Sequence, residues 1–169
     1  MPRLGFDQVR LRLVDIHLVE CVVDIGGWQA PRAGVKVGRE RQSTVITVGD
    51  VERVGVEKIA EMALEIAWKG AKAVYLSFDI DVIDAGFVPG TGWPEPGGLL
   101  PREALNLVKM VSEPGLAGIE VVECSPPYDS AEQTALLSSR VILDSLAAQV
   151  RSGKLGNKAA AQDRVAWGP

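Results

Sequence analysis

The chain reads as an α/β domain, three layers deep, with a mainly parallel sheet between helices. Three observations predict this. Apolar runs at Val19–Ile25, Thr44–Val48, Ala73–Asp81 and Leu116–Cys124 have the length of buried strands. Stretches with apolar residues at helical spacing lie between and after them. Strand–helix–strand runs of this length need a right-handed crossover, which sets neighbouring strands parallel. With 169 residues, 47% hydrophobic and 24% charged, the chain has the size and composition of one globular domain with a real core.

In chain order, residues 1–18 read as an irregular N-terminal arm. Arg3, Arg10 and Arg12 interleave with Leu4, Val9, Leu11 and Leu13 without a clear period, and an edge strand is the alternative. His17, the only histidine, is read as a strand-flanking residue without a role. Residues 19–150 form the folded unit. Trp28 is assigned to packing, and residues 30–42 to a solvated loop or short helix. Gly55–Lys69 is the clearest helix: Val56, Ile59, Ala63, Ile66 and Ala67 share one face, acids and Lys58 the other, and Gly70 suits the C-terminal cap. Leu100–Val111 is a second helix, with Pro101 in its first turn and Glu103 at its positive end. Ser130 and Gln133 make a capping box that opens a third helix through Gln149. Residues 151–169 read as a loose polar tail.

Charge and targeting signals exclude some partners. A net charge of −4 argues against nucleic acid. No apolar run has membrane-spanning length and no signal peptide is visible. Cys21 and Cys124 sit in apolar, strand-like runs and read as reduced thiols, which predicts a cytoplasmic protein.

The chemistry concentrates in Ser77-Phe78-Asp79-Ile80-Asp81-Val82-Ile83-Asp84. If the strand continues to Asp81, alternation points Asp79 and Asp81 to one side. Two neighbouring carboxylates repel unless a cation lies between them, and hard divalent ions such as Mn²⁺ or Mg²⁺ take carboxylate oxygens. The C-terminal end of a central strand is also where open α/β sheets place ligands. On spacing alone the stronger reading is two solvated acids where a strand enters a loop. The next segment reverses that preference: from Pro89 to Gly98 it holds three Pro and four Gly, with Trp93 and Glu95 inside, and reads as a stiff pocket wall rather than a linker.

These residues carry a resemblance. Ser77-Phe78-Asp79-Ile80-Asp81 with Asp84, then Pro89-Gly90-Thr91-Gly92 and Pro94-Glu95-Pro96-Gly97-Gly98-Leu99, closely resemble the ureohydrolases, the family of arginase and agmatinase. A second block, Val121-Val122-Glu123-Cys124-Ser125-Pro126-Pro127-Tyr128-Asp129, looks more like the agmatinase branch. The likeness runs from about Val22 to about Val150 and covers the C-terminal half of the family's domain, implying a partial arginase-like fold. It implies a binuclear Mn²⁺ hydrolase that releases urea from a small guanidino compound, with Asp79 and Asp81 as metal ligands and Glu123 holding the guanidinium. It also implies a homo-oligomer, trimer or hexamer, which suits a half-fold that leaves a sheet edge and apolar surface bare.

Three departures qualify the implied activity. Trp93 stands where the agmatinase pattern has a small residue. As a substrate-binding residue it would narrow the pocket and offer a cation–π face, favouring guanidine or guanidinobutyrate over agmatine; packing outside the pocket is the equal alternative. Ala85 replaces the usual Pro. The family's Gly-Gly-Asp-His and Asp-Ala-His-x-Asp motifs, which supply four of its six metal-ligand positions, are missing; Asp15-Ile16-His17-Leu18-Val19 echoes the latter only faintly. Two ligands cannot close a two-metal site, so the expectation is a truncated, inactive form. A non-catalytic assembly subunit that keeps the half-fold is the alternative. An unrelated Asp-x-Asp phosphatase or glycosyltransferase is disfavoured by the Pro/Gly segment and the Glu123 block.

Overall fold

The computed structural model describes residues 9–13, 22–25, 36–38, 40 and 43–156. His17, Cys21, Trp28 and the tail beyond residue 156, including Trp167, lie outside them. Five strands form one sheet: β1 (Val9–Leu13), β2 (Val22–Ile25), β3 (Thr44–Ile46), β4 (Val74–Asp79) and β5 (Gly118–Val122), in the order β3-β2-β1-β4-β5. β2 pairs with β3, and β4 with β5, in parallel; β1 runs antiparallel to both its neighbours. Four strands therefore point one way and one the other, a mainly parallel sheet.

β1 differs from the irregular arm expected over residues 1–18. Arg10 lies opposite Asp24 on one side and Ser77 on the other, so this strand is the middle of the sheet. Its apolar residues, Val9, Leu11 and Leu13, do recur every second position. That is the strand period, diluted by the arginines between them.

Among the described residues, 36–38 and 40 are helical, in line with the short helix weighed for residues 30–42, and four longer helices follow β3: α1 (Val48–Val54), α2 (Val56–Ala67), α3 (Pro101–Ser112) and α4 (Gln133–Arg151). α1 begins where the sequence suggested the end of a strand. Thr47 decides this: its hydroxyl accepts from the Asp50 N–H at 3.2 Å, and the Asp50 carboxylate accepts from the Thr47 N–H at 3.0 Å. Gly55, at φ 92, separates α1 from α2.

The core lies on one face of β4. Val74, Leu76 and Phe78 are fully buried there, against Ile59, Ala60, Ala63 and Ala67 of α2, Leu107 and Val108 of α3, and Val141 of α4. Each large side chain so buried contributes about 1.5–3 kcal/mol. The intervening residues, Tyr75 and Ser77, are half-buried, and Glu120, which pairs with Ser77, is exposed. The described residues thus hold the sheet and one helical layer of the three-layer expectation. Polar contacts set α3 on α4: Ser112 Oγ and Ser145 Oγ lie 2.8 Å apart in the interior. The Leu116 N–H donates to Gln149 Oε1 at 2.9 Å, which fixes the entry into β5.

Candidate functional site

β4 ends at Asp79, and Ile80–Val82 form a single 3-10 turn. Asp81 is therefore not a strand residue, and alternation is not what joins it to Asp79. A short acidic side chain competes with the sheet for backbone donors, and here Asp79 Oδ1 accepts from the Asp81 N–H at 3.4 Å, capping the turn. The pair is still brought together, and into the interior: Asp79 is 3% exposed and Asp81 0%. Ile80 and Val82 on either side of Asp81 are buried as well.

Two carboxylates removed from water cost several kcal/mol unless charge and hydrogen bonds compensate. Their donors are all hard oxygens, which suits a divalent cation such as Mn²⁺ or Mg²⁺. The fit is in kind and not in number. Among the described residues, no group of three His, Cys, Asp or Glu side chains could hold a metal ion.

The third aspartate of the motif does something else. Asp84 Oδ1 accepts from the Gly86 N–H at 2.8 Å and Oδ2 from the Gly97 N–H at 2.7 Å. These donors at Gly97 and Gly86 hold its carboxyl below the ordinary value of 3.8. One side chain thereby ties the start of the Pro/Gly segment to its end. Backbone contacts complete the closure: the Leu99 N–H donates to the Val82 carbonyl at 2.8 Å, and the Asp84 N–H to the Leu99 carbonyl at 3.0 Å. A Cβ on Gly98 would sit 2.6 Å from the Val82 carbonyl oxygen and 2.7 Å from the Asp84 nitrogen, so only glycine permits this approach.

The middle of the segment reaches the second motif. The Gly90 N–H donates to Thr134 Oγ1 at 2.8 Å, and the Gly90 carbonyl accepts from the Ser125 N–H at 2.7 Å. Thr91 pairs antiparallel with Cys124. Thr134 is set by Asp129, whose carboxylate accepts from the Thr134 and Ala135 N–H groups at 3.1 and 2.9 Å. Burial pushes the Asp129 carboxyl up, but the amide donors of Ala135 and Thr134 outweigh it and the net shift is downward. Asp129 thus serves the start of α4, which opens at Gln133 behind Glu132. The expected Ser130–Gln133 box does not form: Glu132 is the cap residue, and Asp129 takes the first-turn amides of Thr134 and Ala135.

From the buried Asp81 the path runs through Thr91, 3% exposed, whose hydroxyl donates to Asp81 Oδ2 at 3.5 Å. It continues across the Thr91–Cys124 pairing to Glu123. Val122, the last residue of β5, lies opposite Asp79, the last residue of β4, so Glu123 stands one step beyond the end of the neighbouring strand. Glu123 is exposed and takes a left-handed backbone, φ 61, a conformation a non-glycine residue holds only when its surroundings impose it. Trp93 donates its N–H to Thr91 Oγ1 at 3.5 Å, while its ring stands on the surface, 61% exposed. Cys124 is a free, half-buried thiol.

Of the residues picked from sequence, Asp79, Asp81 and Glu123 thus gather at neighbouring strand ends, with Trp93 on the outer side of the same segment. The reading missed Asp84, Thr91, Asp129 and Thr134. Asp84 carries a usable signal, an acid two residues before a glycine, which favours a side-chain-to-amide turn. Thr91 carries none, since its role arises from contacts distant in sequence.

Known proteins share this arrangement of elements. The agmatinase of Enterobacter sp. (strain 638) is 37% identical over 122 residues, 69% of this chain and 39% of that protein. The human mitochondrial guanidino acid hydrolase is 34% identical over 142 residues, 81% of this chain and 40% of that protein. Among solved structures, the formimidoylglutamase of Bacillus subtilis subsp. subtilis str. 168 superposes with a TM-score of 0.71 at 25% identity, covering 75% of this chain and 40% of that one. The chain therefore spans about two fifths of these relatives' length. Residues 12–147 match the Arginase family, and the chain belongs to that family.

Proposed function

We propose that this chain carries part of the active site of an agmatinase-like ureohydrolase, which cleaves a small guanidino compound to urea and an amine. The observation that supports this best is the convergence at the ends of β4 and β5. There Asp79 and Asp81 are buried side by side, and Glu123 follows the residue opposite Asp79. In this reading Asp79 and Asp81 hold Mn²⁺, which when bound lowers the pKa of water so that a nucleophile exists near neutral pH. Glu123 takes the cationic guanidinium, since a carboxylate matches its charge and its paired N–H donors. Thr91 and the Pro/Gly segment wall the site on one side. Trp93 stands at the rim, where its face would favour a short guanidino substrate such as guanidine or guanidinobutyrate.

Two carboxylates are too few to close a binuclear centre, so these residues by themselves bind Mn²⁺ weakly and turn over nothing at a useful rate. The remaining donors must come from outside the described residues. A chain that assembles as a homo-oligomer, trimer or hexamer, fits the exposed apolar surface of α4, where Leu136 and Leu143 are more than 60% exposed. A non-catalytic assembly role is the second reading, favoured by the two-donor site. We place the protein in the cytoplasm, without nucleic-acid or membrane partners. Among the described residues no helix is long and apolar enough to cross a membrane.

The test combines Mn²⁺ titration calorimetry with a urea-release assay on agmatine, guanidinobutyrate and guanidine. Weak Mn²⁺ binding and no urea are expected of the chain alone. Urea should appear when a polypeptide bearing the family's Gly-Gly-Asp-His and Asp-Ala-His-x-Asp motifs is added. Tight binding of two Mn²⁺ per chain with urea release would overturn the incomplete site. Stable oligomers without activity in the mixture would favour the assembly role.

A further inference from the structure

We propose that the outer face of α4 is a self-association surface, on which two copies of this chain pair antiparallel about Leu143. The proposal concerns assembly and stands whether or not the chain takes part in hydrolysis. The two sides of α4 are reversed with respect to an ordinary surface helix. Of its seven buried residues five are polar, namely Thr134, Ser138, Asp144, Ser145 and Gln149. The outward side carries Leu136, Ile142, Leu143, Leu146 and Val150, all exposed. A surface helix turns its polar residues to water, and a contiguous apolar stripe on the outside marks a contact face.

The spacing of the stripe identifies the occupant as a helix. Leu136, Leu143 and Val150 recur every seven residues, so they form one line along α4 that drifts by only about 20° per step. Leu146, three residues after Leu143, widens the line as the second position of a helix–helix seam does. A second copy presents the same stripe, and a two-fold axis sets it against itself. Charge chooses the direction. By their spacing, Arg140 and Arg151 border the stripe, and a parallel pair in register would place each arginine level with its own copy. An antiparallel pair centred on Leu143 separates them and matches large residues to small. Leu136 then meets Val150, and Ser139 meets Ala147, which lets the helices approach closely on both sides of the central leucines. Arg140 comes level with Leu146 and covers it with its aliphatic stem. Its guanidinium stays on Asp144 of its own helix, with Nε donating to Oδ1 at 2.7 Å. Ser139 brings no unmet donor, because its hydroxyl donates to the Ala135 carbonyl at 2.9 Å. One pair of 19-residue helices is a small contact. It falls below the roughly 1,200 Å² of a standard interface, so a dissociation constant on the order of micromolar is expected.

Sedimentation equilibrium of the full chain, from low micromolar to near-millimolar concentration, tests the proposal. The expected result is a dimer, or a hexamer that falls to trimers when this contact is broken. Leu143→Glu sets two carboxylates against each other on the axis and should weaken the pairing by roughly 100-fold or more. Its helical circular dichroism and urea midpoint should match those of the unaltered chain, since Leu143 is 61% exposed. If Leu143→Glu fails to fold, Leu143→Gln makes the same comparison without a charge. Direction is read from two double variants. Leu136→Lys with Val150→Glu should associate more tightly than Leu136→Lys with Val150→Lys, because only the antiparallel pair brings the two altered positions together. Equal association of the two would overturn the antiparallel arrangement. A chain that stays monomeric throughout, as it would if other polypeptide covers the face, would overturn the self-association surface itself. So would an assembly that the Leu143 variants leave intact. Neither result bears on urea release, which tests the hydrolase reading separately.

Discussion

Asp81 and Asp84 stand three residues apart in one motif and are chemically identical, yet the fold uses them in opposite ways. Asp81 is carried inward just past the end of β4, fully buried after Asp79, and a side-chain hydroxyl, that of Thr91, donates to it. Asp84 is half-buried, and each of its oxygens accepts a backbone amide, from Gly86 and Gly97. A carboxylate with both oxygens engaged by amides is a loop clamp, because its charge is already met by fixed dipoles. A carboxylate buried next to another carboxylate carries repulsion that a divalent cation between the two would relieve. An aspartate's meaning in such a motif therefore depends on where the following glycines let the backbone return, and not on its position in the acidic pattern.

The contrast breaks most sharply in metal affinity. Replacing Asp81 by Asn keeps the shape and removes the charge, and Asp79→Asn does the same at the strand end. Each should lower Mn²⁺ affinity by more than the roughly 10–100-fold that outer groups contribute. Both variants should remain folded, since neutralising one of two neighbouring buried acids relieves their mutual repulsion. Calorimetric titration beside a urea unfolding curve measures both quantities. Retained affinity in Asp81→Asn would remove the distinction between the two aspartates.

Next in size is the closure that Asp84 maintains. Gly98→Ala puts a methyl 2.6 Å from the Val82 carbonyl oxygen and 2.8 Å from the Ile83 carbonyl carbon, and both are backbone atoms that cannot step aside. Overpacking a tight site typically costs about 1–3 kcal/mol, and this position belongs at or above the top of that range. The urea midpoint should fall accordingly. A neutral outcome would mean that the segment is not held against β4 as tightly as the Asp84 clamp implies.

Much of this was legible in the sequence, for physical reasons that differ by element. β4 and α2 announce themselves, because a buried strand and an amphipathic helix each impose a period on their apolar residues, as Val74, Leu76 and Phe78 and then Ile59, Ala63 and Ala67 show. β1 was obscured by two arginines standing in a central strand. α1 was hidden behind Ile46 and Val48, which read as one strand although Thr47 and Asp50 signal a helix start. At the site, Asp79 and Asp81 were found for an incomplete reason: alternation brings them together only if the strand continues, and it stops. Thr91 and Thr134 could not be found, since the contacts that give them roles span 10 and 44 residues of chain. Short-range chemistry is written locally; the closing of a loop onto another strand is not.

The smallest effect is the most selective, because it isolates the clamp from the cation site by pH. The amide donors of Gly97 and Gly86 depress the Asp84 carboxyl in the folded chain below its ordinary 3.8. Folding therefore favours the ionised form. The resulting stability is fully present above the unfolded value of about 3.9 and is lost as pH falls through the lower folded one. Asp84→Asn, which keeps one acceptor oxygen and no charge, lacks that contribution at every pH. The variant should unfold at lower urea than the unaltered chain at neutral pH, and the gap should close as both are taken below the ordinary carboxylate range. Other acids, including Asp129, titrate in the same window and move both curves together, so the difference between the curves belongs to Asp84. At neutral pH the Mn²⁺ affinity of Asp84→Asn should match that of the unaltered chain, since both oxygens of Asp84 are engaged by backbone amides. A pH-independent gap would mean that the clamp acts through shape and not charge. A loss of metal affinity as large as that of Asp81→Asn would place both aspartates in one site.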